Sequence, residues 1–139
     1  MKRWNYWRRG SATGSGKKYG NHKVETEDGI FDSRKEARRN AELQLLEQAG
    51  EIRDLQRQVR FTLIPAQREK DEIGPRGGIH KGKIIEQAVT YVADFVYTAA
   101  DGRTVVEDVK GYKDGAAYKV FVLKRKLMLY ILGIRIREV

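Results

Sequence analysis

The 139-residue chain has no cysteine, two histidines and two prolines. Without cysteine there is neither a disulfide framework nor a thiolate zinc site. Two isolated histidines, His22 and His80, cannot build a histidine-rich metal centre. A divalent cation would therefore need oxygen ligands, which favours Mg²⁺, with Mn²⁺ as a substitute. No apolar run approaches the roughly 20 residues that span a bilayer. The first residues carry two Trp and several Arg but no apolar segment, so they do not read as a signal peptide. A cytoplasmic protein with no membrane partner is expected. Acid is also short: 19 Asp and Glu stand against 28 Lys and Arg, a formal net charge of +9. In so small a chain, that imbalance points to nucleic acid as the partner.

The length suits one domain. Residues 1–20 (MKRWNYWRRGSATGSGKKYG) mix Gly, Ser and cations and read as a flexible arm. In it Trp4, Tyr6 and Trp7 lie among Arg and Lys, a pattern that either stacks on bases and follows phosphates or simply aids solubility. A single domain over residues 21–139 follows. Lys23–Phe31 reads as a small hairpin turning at Asp28-Gly29. Ser33 to Ala49 reads as a helix capped by Ser33 and closed by Gly50, with Ala37, Ala41, Leu45 and Leu46 as its apolar stripe. From Arg53 to Ile64 the sequence alternates, placing Leu55, Val59, Phe61 and Leu63 on one buried strand face. Residues 67–86, rich in Gly, Pro and charge, read as a mobile loop or hairpin extension, with a DNA-contacting flap as its expected role. Ala88–Tyr97 and Arg103–Lys110 form a hairpin about Ala100-Asp101-Gly102-Arg103, and both strands are apolar on both faces. Ala116–Leu132 is a second helix with the stripe Val120, Leu123, Leu127 and Ile131, and Ile134–Val139 a last strand. The predicted fold is α/β (α+β), order αβββαβ, with a mixed central sheet flanked by helices.

The chemistry concentrates in YVADFVYTAADGRTVVEDVKGY. Asp94 interrupts the first strand, and Glu107, Asp108 and Lys110 end the second. Acid in a buried strand costs free energy unless a metal or partner compensates it. Residues two apart share a strand face, so Asp108 and Lys110 point together and Glu107 points away. In an ordinary hairpin register Asp94 lies close to Asp108, and two facing carboxylates repel unless a cation lies between them. A Mg²⁺ held by both would lower the pKa of bound water, and Lys110 would orient that water or steady a phosphate. Glu36, the candidate third acid, lies in Ser33-x-x-Glu36, which also reads as a capping box, and Asp32 and Glu42 compete for the same role. Gln58, on the polar strand face, either meets phosphate or water or is a plain edge residue. Arg34, Lys35, Arg38 and Arg39 on the first helix, and Lys119, Lys124 and Lys126 on the second, form either phosphate-tracking surfaces or solvated faces.

The element order and the set Glu36, Asp94, Asp108-Val109-Lys110 resemble the PD-(D/E)XK nuclease superfamily. The segments KYGNHKVE, FDSRKEARRNAELQLLEQAGEI, RQVRFTLIP, YVADFVY, VVEDVKGY and KRKLMLYILGIRI resemble a family of small phage and prophage nucleases, related to archaeal-type Holliday junction resolvases. The resemblance covers residues 18–139 and fits the 67–86 stretch poorly. It implies a restriction-endonuclease-like core, with Glu36, Asp94 and Asp108 as metal ligands and Lys110 as the catalytic lysine. The usual Pro-Asp dipeptide is Ala93-Asp94 here. It further implies a homodimer, since a four-way junction needs two matched nicks, acting on branched double-stranded DNA in the cytoplasm of a host cell. The rival expectations are a sequence- or end-specific endonuclease of the same fold and a catalytically silent DNA-binding module.

Overall fold

The computed structural model describes residues 23–139; the expected N-terminal arm lies outside the described residues. Strands β1 (Val24–Thr26) and β2 (Gly29–Phe31) pair antiparallel as the expected hairpin. Helix α1 (Arg34–Gln48) starts where the Ser33 side chain accepts a hydrogen bond from the Glu36 N–H at 3.1 Å. It ends before Gly50, whose φ of +76° suits glycine. Strand β3 (Ile52–Ile64) follows. Then come four short strands, β4 (Gln67–Arg68), β5 (Glu72–Ile73), β6 (Ile79–His80) and β7 (Ile84–Glu86). Strands β8 (Val89–Ala99) and β9 (Thr104–Asp108), helix α2 (Gly115–Leu132) and strand β10 (Ile136–Glu138) complete the chain.

The fold is α+β. A four-stranded sheet runs in the order β10-β9-β8-β3. The β3–β8 and β8–β9 pairs are antiparallel, and β10 lies parallel to β9. The left-handed turn after α2 is made by Gly133, at φ +67°, which releases the chain into β10. One core cluster lies on the α2 side: Leu63, Tyr91, Ala93, Val106, Phe121, Met128 and Ile136. A second lies on the α1 side: Leu43, Ile52, Phe95 and Tyr97, with Leu46, Leu55, Val105 and Val109 packed on it. Among the described residues no helix is long and apolar enough to cross a membrane.

Two expectations are corrected, and one alternative is decided. First, of the mobile loop and the hairpin extension read for 67–86, the hairpin extension forms: β4 pairs with β7, and β5 with β6. Second, the apolar stripes of the two helices are buried only in part, through Leu46 on α1 and Leu127 on α2. On α2, Phe121 and Met128 are buried, while Val120, Leu123 and Ile131 are 53%, 59% and 43% exposed. On α1 the buried residues are Glu36, Asn40 and Leu43, and Leu45 is largely exposed. The turn of α1 that meets the sheet is polar, so hydrophobic spacing does not mark it.

Third, β3 and β8 do not keep one face throughout. Tyr91 and Ala93 belong to the α2-side cluster, but Phe95 and Tyr97, of the same strand parity, belong to the α1-side cluster. On β3, Leu55 packs on the α1 side, and Phe61 and Leu63 on the α2 side. Both strands exchange faces at the same level, at Gln58 and Asp94. Gln58 adopts φ +52°, a left-handed conformation that costs a non-glycine residue about 1–2 kcal/mol. One such residue breaks the period-two alternation and turns the following side chains over.

Candidate active site

The face exchange puts polar groups where the sheet opens. Pairing of β8 with β9 ends at Phe95↔Glu107, and the next residues outward are Asp94 and Asp108. There the Val109 N–H donates to Asp94 Oδ2 at 2.7 Å, so a side chain takes over from the backbone ladder. Gln58 Nε2 donates to Asp94 Oδ1 and to Glu36 Oε1, each at 3.2 Å. Glu36 is 4% exposed, and its Oε2 accepts from the Asp32 N–H at 3.0 Å. Glu36 thus caps its own helix locally and also reaches the sheet.

Asp108, also 4% exposed, points to the α2 side. Its Oδ1 lies 2.6 Å from Lys110 Nζ, and its Oδ2 accepts from the Tyr91 hydroxyl at 2.8 Å. Lys110 Nζ stands 3.9 Å from the centre of the Phe121 ring, a cation–π contact that fixes the ammonium. Lys35 Nζ donates to the carbonyls of Lys110 and Val139 at 2.9 and 2.7 Å and ties α1 to this end of the sheet.

Electrostatics set Asp94 apart. Burial, followed by the neighbouring Asp108 and Glu36 carboxylates, pushes its pKa up to about 6, and the Val109 N–H partly offsets the rise. Burial and the Asp108 charge likewise raise the Tyr91 phenol. The site is rich in negative charge and short of positive charge, with lone pairs on hard oxygen atoms only. That donor chemistry fits a hard divalent cation. Among the described residues, however, no three Asp, Glu or His side chains stand together at metal-holding spacing. The Gln58 amide lies between Glu36 and Asp94, and the Lys110 ammonium engages Asp108. Asp94 and Asp108 follow the last β8–β9 pair on neighbouring strands, and the Asp108 charge acts on Asp94.

Glu107, fully buried, serves a different purpose. Its carboxylate takes two bonds of 2.8 Å from the Arg39 guanidinium and one of 2.8 Å from the Tyr97 hydroxyl. The bond to Glu107 is the main reason the Arg39 pKa is raised. Arg39 follows Glu36 by three residues on α1, so this fork fixes the rotation of the helix that carries Glu36.

The expected phosphate-contacting residues divide accordingly. Arg39 is engaged by Glu107 and Glu42, and Lys35 by two carbonyls, so neither side chain is presented as a free cation. Arg34, Arg38, Lys119 and Lys126 are exposed, and Lys124 is half-buried. Sequence reasoning named Arg125 with the other cations of the second helix but did not single out Arg135 or Arg137. With Lys126, Leu129, Ile136 and Glu138 these three arginines line a cavity of about 700 Å³ beside β10. It also missed Tyr91 and Phe121, the two partners that hold Asp108 and Lys110. The one available signal for Tyr91 was its hydroxyl in an otherwise apolar strand, which needs a partner when buried.

A family described as a protein of unknown function, DUF1064, matches residues 16–134. No curated protein and no solved structure gives a significant match.

Proposed function

We propose that this chain, which belongs to the DUF1064 family, is a Mg²⁺-dependent endodeoxyribonuclease with a restriction-endonuclease-like core that cuts branched DNA, foremost four-way junctions. The observation that carries the reading is the Gln58 amide bonded at once to Glu36 and Asp94, one residue beyond the last β8–β9 pair and next to the Asp108–Lys110 couple. Helix α1 and strands β3, β8 and β9 all send a polar group to one opening of the sheet, and a strained residue marks the spot. Strain of this kind concentrates at functional sites. The order α1, β3, β8, β9, α2, β10 is compatible with the nuclease core that the sequence resembles.

In this reading Asp94, Asp108 and Glu36 are the residues that would hold the cation. When bound, it would neutralise phosphate charge and acidify a water molecule. Lys110, steadied by Asp108 and the Phe121 ring, orients the attacking water and faces the phosphate. Gln58, whose amide bonds Glu36 and Asp94, would be free to hydrogen-bond the water or a non-bridging phosphate oxygen when those carboxylates held the cation. Hydrolysis forms one P–O bond to the water oxygen and breaks one P–O bond to a deoxyribose oxygen, which leaves with a proton. The exposed Arg34, Arg38, Lys119 and Lys126 and the basic cavity beside β10 supply contacts to phosphates, which position the duplex without reading bases. Two matched nicks require two copies related by a two-fold axis, and the exposed Val120, Leu123 and Ile131 on α2 offer an apolar surface for the second copy.

The test is cleavage of a synthetic four-way junction beside a linear duplex of the same sequence, in Mg²⁺ and in chelator. Paired symmetric nicks in the junction alone, abolished by chelator, are expected. Equal cutting of the linear duplex would replace junction resolution by a sequence- or end-specific activity. Binding without cutting in any divalent cation would leave a DNA-binding module.

A further inference from the structure

The ribbon of residues 65–88 takes no part in the site just described, yet it is a built element. Strand pairing β4–β7 and β5–β6 is extended by bonds from the Glu69 N–H to the Lys83 carbonyl (2.9 Å) and from the Gly82 N–H to Asp71 Oδ1 (3.0 Å). Gly82 is obligatory for the close approach of the two strands: a Cβ there would stand 2.1 Å from the Glu69 carbonyl oxygen. The tip is a defined turn. The Gly77 N–H donates to the Gly74 carbonyl and the Gly74 N–H to the Gly78 carbonyl, at 2.9 and 2.8 Å. Pro75 takes the position where its fixed φ is favoured, and Gly77 closes the loop at φ +78°. The turn presents Arg76 at its apex.

Just behind this apex Ile73 and Ile79 face each other across the strands and are 81% and 73% exposed. Nothing among the described residues covers them. From Gly74 to Ile85 the chain has no acid but carries Arg76, Lys81 and Lys83. The acids of the ribbon, Glu69, Asp71, Glu72 and Glu86, lie behind the turn, with Glu72 beside Ile73 and across from His80. An uncovered apolar pair with a cationic apex is complementary to one kind of surface: a polyanion with apolar faces stacked inside it. A two-stranded ribbon fits a DNA groove, arginine is drawn to the negative potential of a narrow minor groove, and isoleucine is among the side chains that wedge between base steps.

We propose that this ribbon is a DNA-inserting arm. Arg76 enters a groove of the duplex flanking the cut, and the Ile73–Ile79 pair pries against a base step and unstacks it. The proposal rests on the reading of the protein as a DNA-acting enzyme, and it adds a second contact that recognises deformable or already unstacked DNA, as at a branch point. Such a contact favours pyrimidine–purine steps, which open at least cost.

The experiment is binding in Ca²⁺ or chelator, so that no cutting is needed, to a junction and a duplex carrying 2-aminopurine near the branch. Wild type is compared with the double variant Ile73→Thr/Ile79→Thr, which keeps β-propensity while removing apolar surface, and with Arg76→Ala. The double variant is expected to bind about tenfold more weakly and to lose the fluorescence rise that reports unstacking. Arg76→Ala is expected to reduce the slope of log affinity against log salt by about one. Melting temperatures should stay within a degree or two of wild type, since the altered side chains touch no core residue. Equal affinity and an equal fluorescence rise in wild type and the double variant would overturn the arm while leaving the nuclease reading intact. If wild type bound no DNA at all, the nuclease reading itself would fall. If the double variant changed only the oligomeric state, the ribbon tip would be a contact between copies and the proposal would be wrong.

Discussion

Replacing Asp94 by Asn should make the metal-free protein more stable at neutral and alkaline pH while abolishing cleavage. Burial and the nearby Asp108 and Glu36 carboxylates raise the Asp94 pKa to about 6 from an ordinary 3.8. A group whose folded pKa is raised binds its proton more tightly in the native state. The stabilisation from that proton is complete below about pH 4 and is lost as the pH rises through 6. The loss corresponds to about 2 pH units, or roughly 3 kcal/mol at 1.36 kcal/mol per unit; solvent access to the half-buried side chain lowers this to about 2 kcal/mol. Asn is the neutral isostere of the protonated acid: its carbonyl still accepts the Val109 N–H, while its amide nitrogen, in place of Oδ1, gives up the bond from Gln58 Nε2. Asp94→Asn should therefore melt higher than wild type at pH 8 in chelator by roughly 5–10 °C, from the conversion for a domain of this size, and within about 2 °C of wild type at pH 4. Added Mg²⁺ should close the gap by stabilising wild type alone. Thermal unfolding followed by circular dichroism at the two pH values, with and without Mg²⁺, measures all four numbers. A variant that melts lower than wild type at pH 8, or by the same margin at both pH values, would refute the idea that Asp94 sits in an uncompensated negative field.

Asp108→Ala should retain junction binding, checked by gel shift in Ca²⁺, and lose cutting by at least a hundredfold; retained cutting would move the reacting centre elsewhere. Glu107→Gln should leave the Arg39 guanidinium buried against a neutral partner and cost about 2–4 kcal/mol in urea unfolding, with cleavage falling because Glu36 loses its fixed helix rotation. Gln58→Gly removes the left-handed strain as well as the amide, so its stability should match wild type within about 1 kcal/mol while cleavage falls; a clear loss of stability would show that the Gln58 bonds outweigh the strain they require.

Sequence by itself determined what local chemistry controls. The Ser33 cap, the Gly50 and Gly133 stops, the hairpin about Asp101-Gly102 and the number of long elements follow from capping, turn preference and apolar run length, each acting over a few residues. The grouping of Asp108 with Lys110, and the separation of Glu107 from both, follow from strand alternation alone. Net charge determined the kind of partner to look for. The tertiary structure decided the rest, because it depends on groups far apart in the chain. Which face of α1 is buried could not be read from its leucines, since a polar face carrying Glu36 is held in by Arg39 and Glu107, 68 residues apart. The exchange of faces at Gln58 and Asp94 accompanies a left-handed backbone angle at Gln58 that no side-chain pattern records, and at that level Gln58, Glu36 and Asp94 come within hydrogen-bond reach.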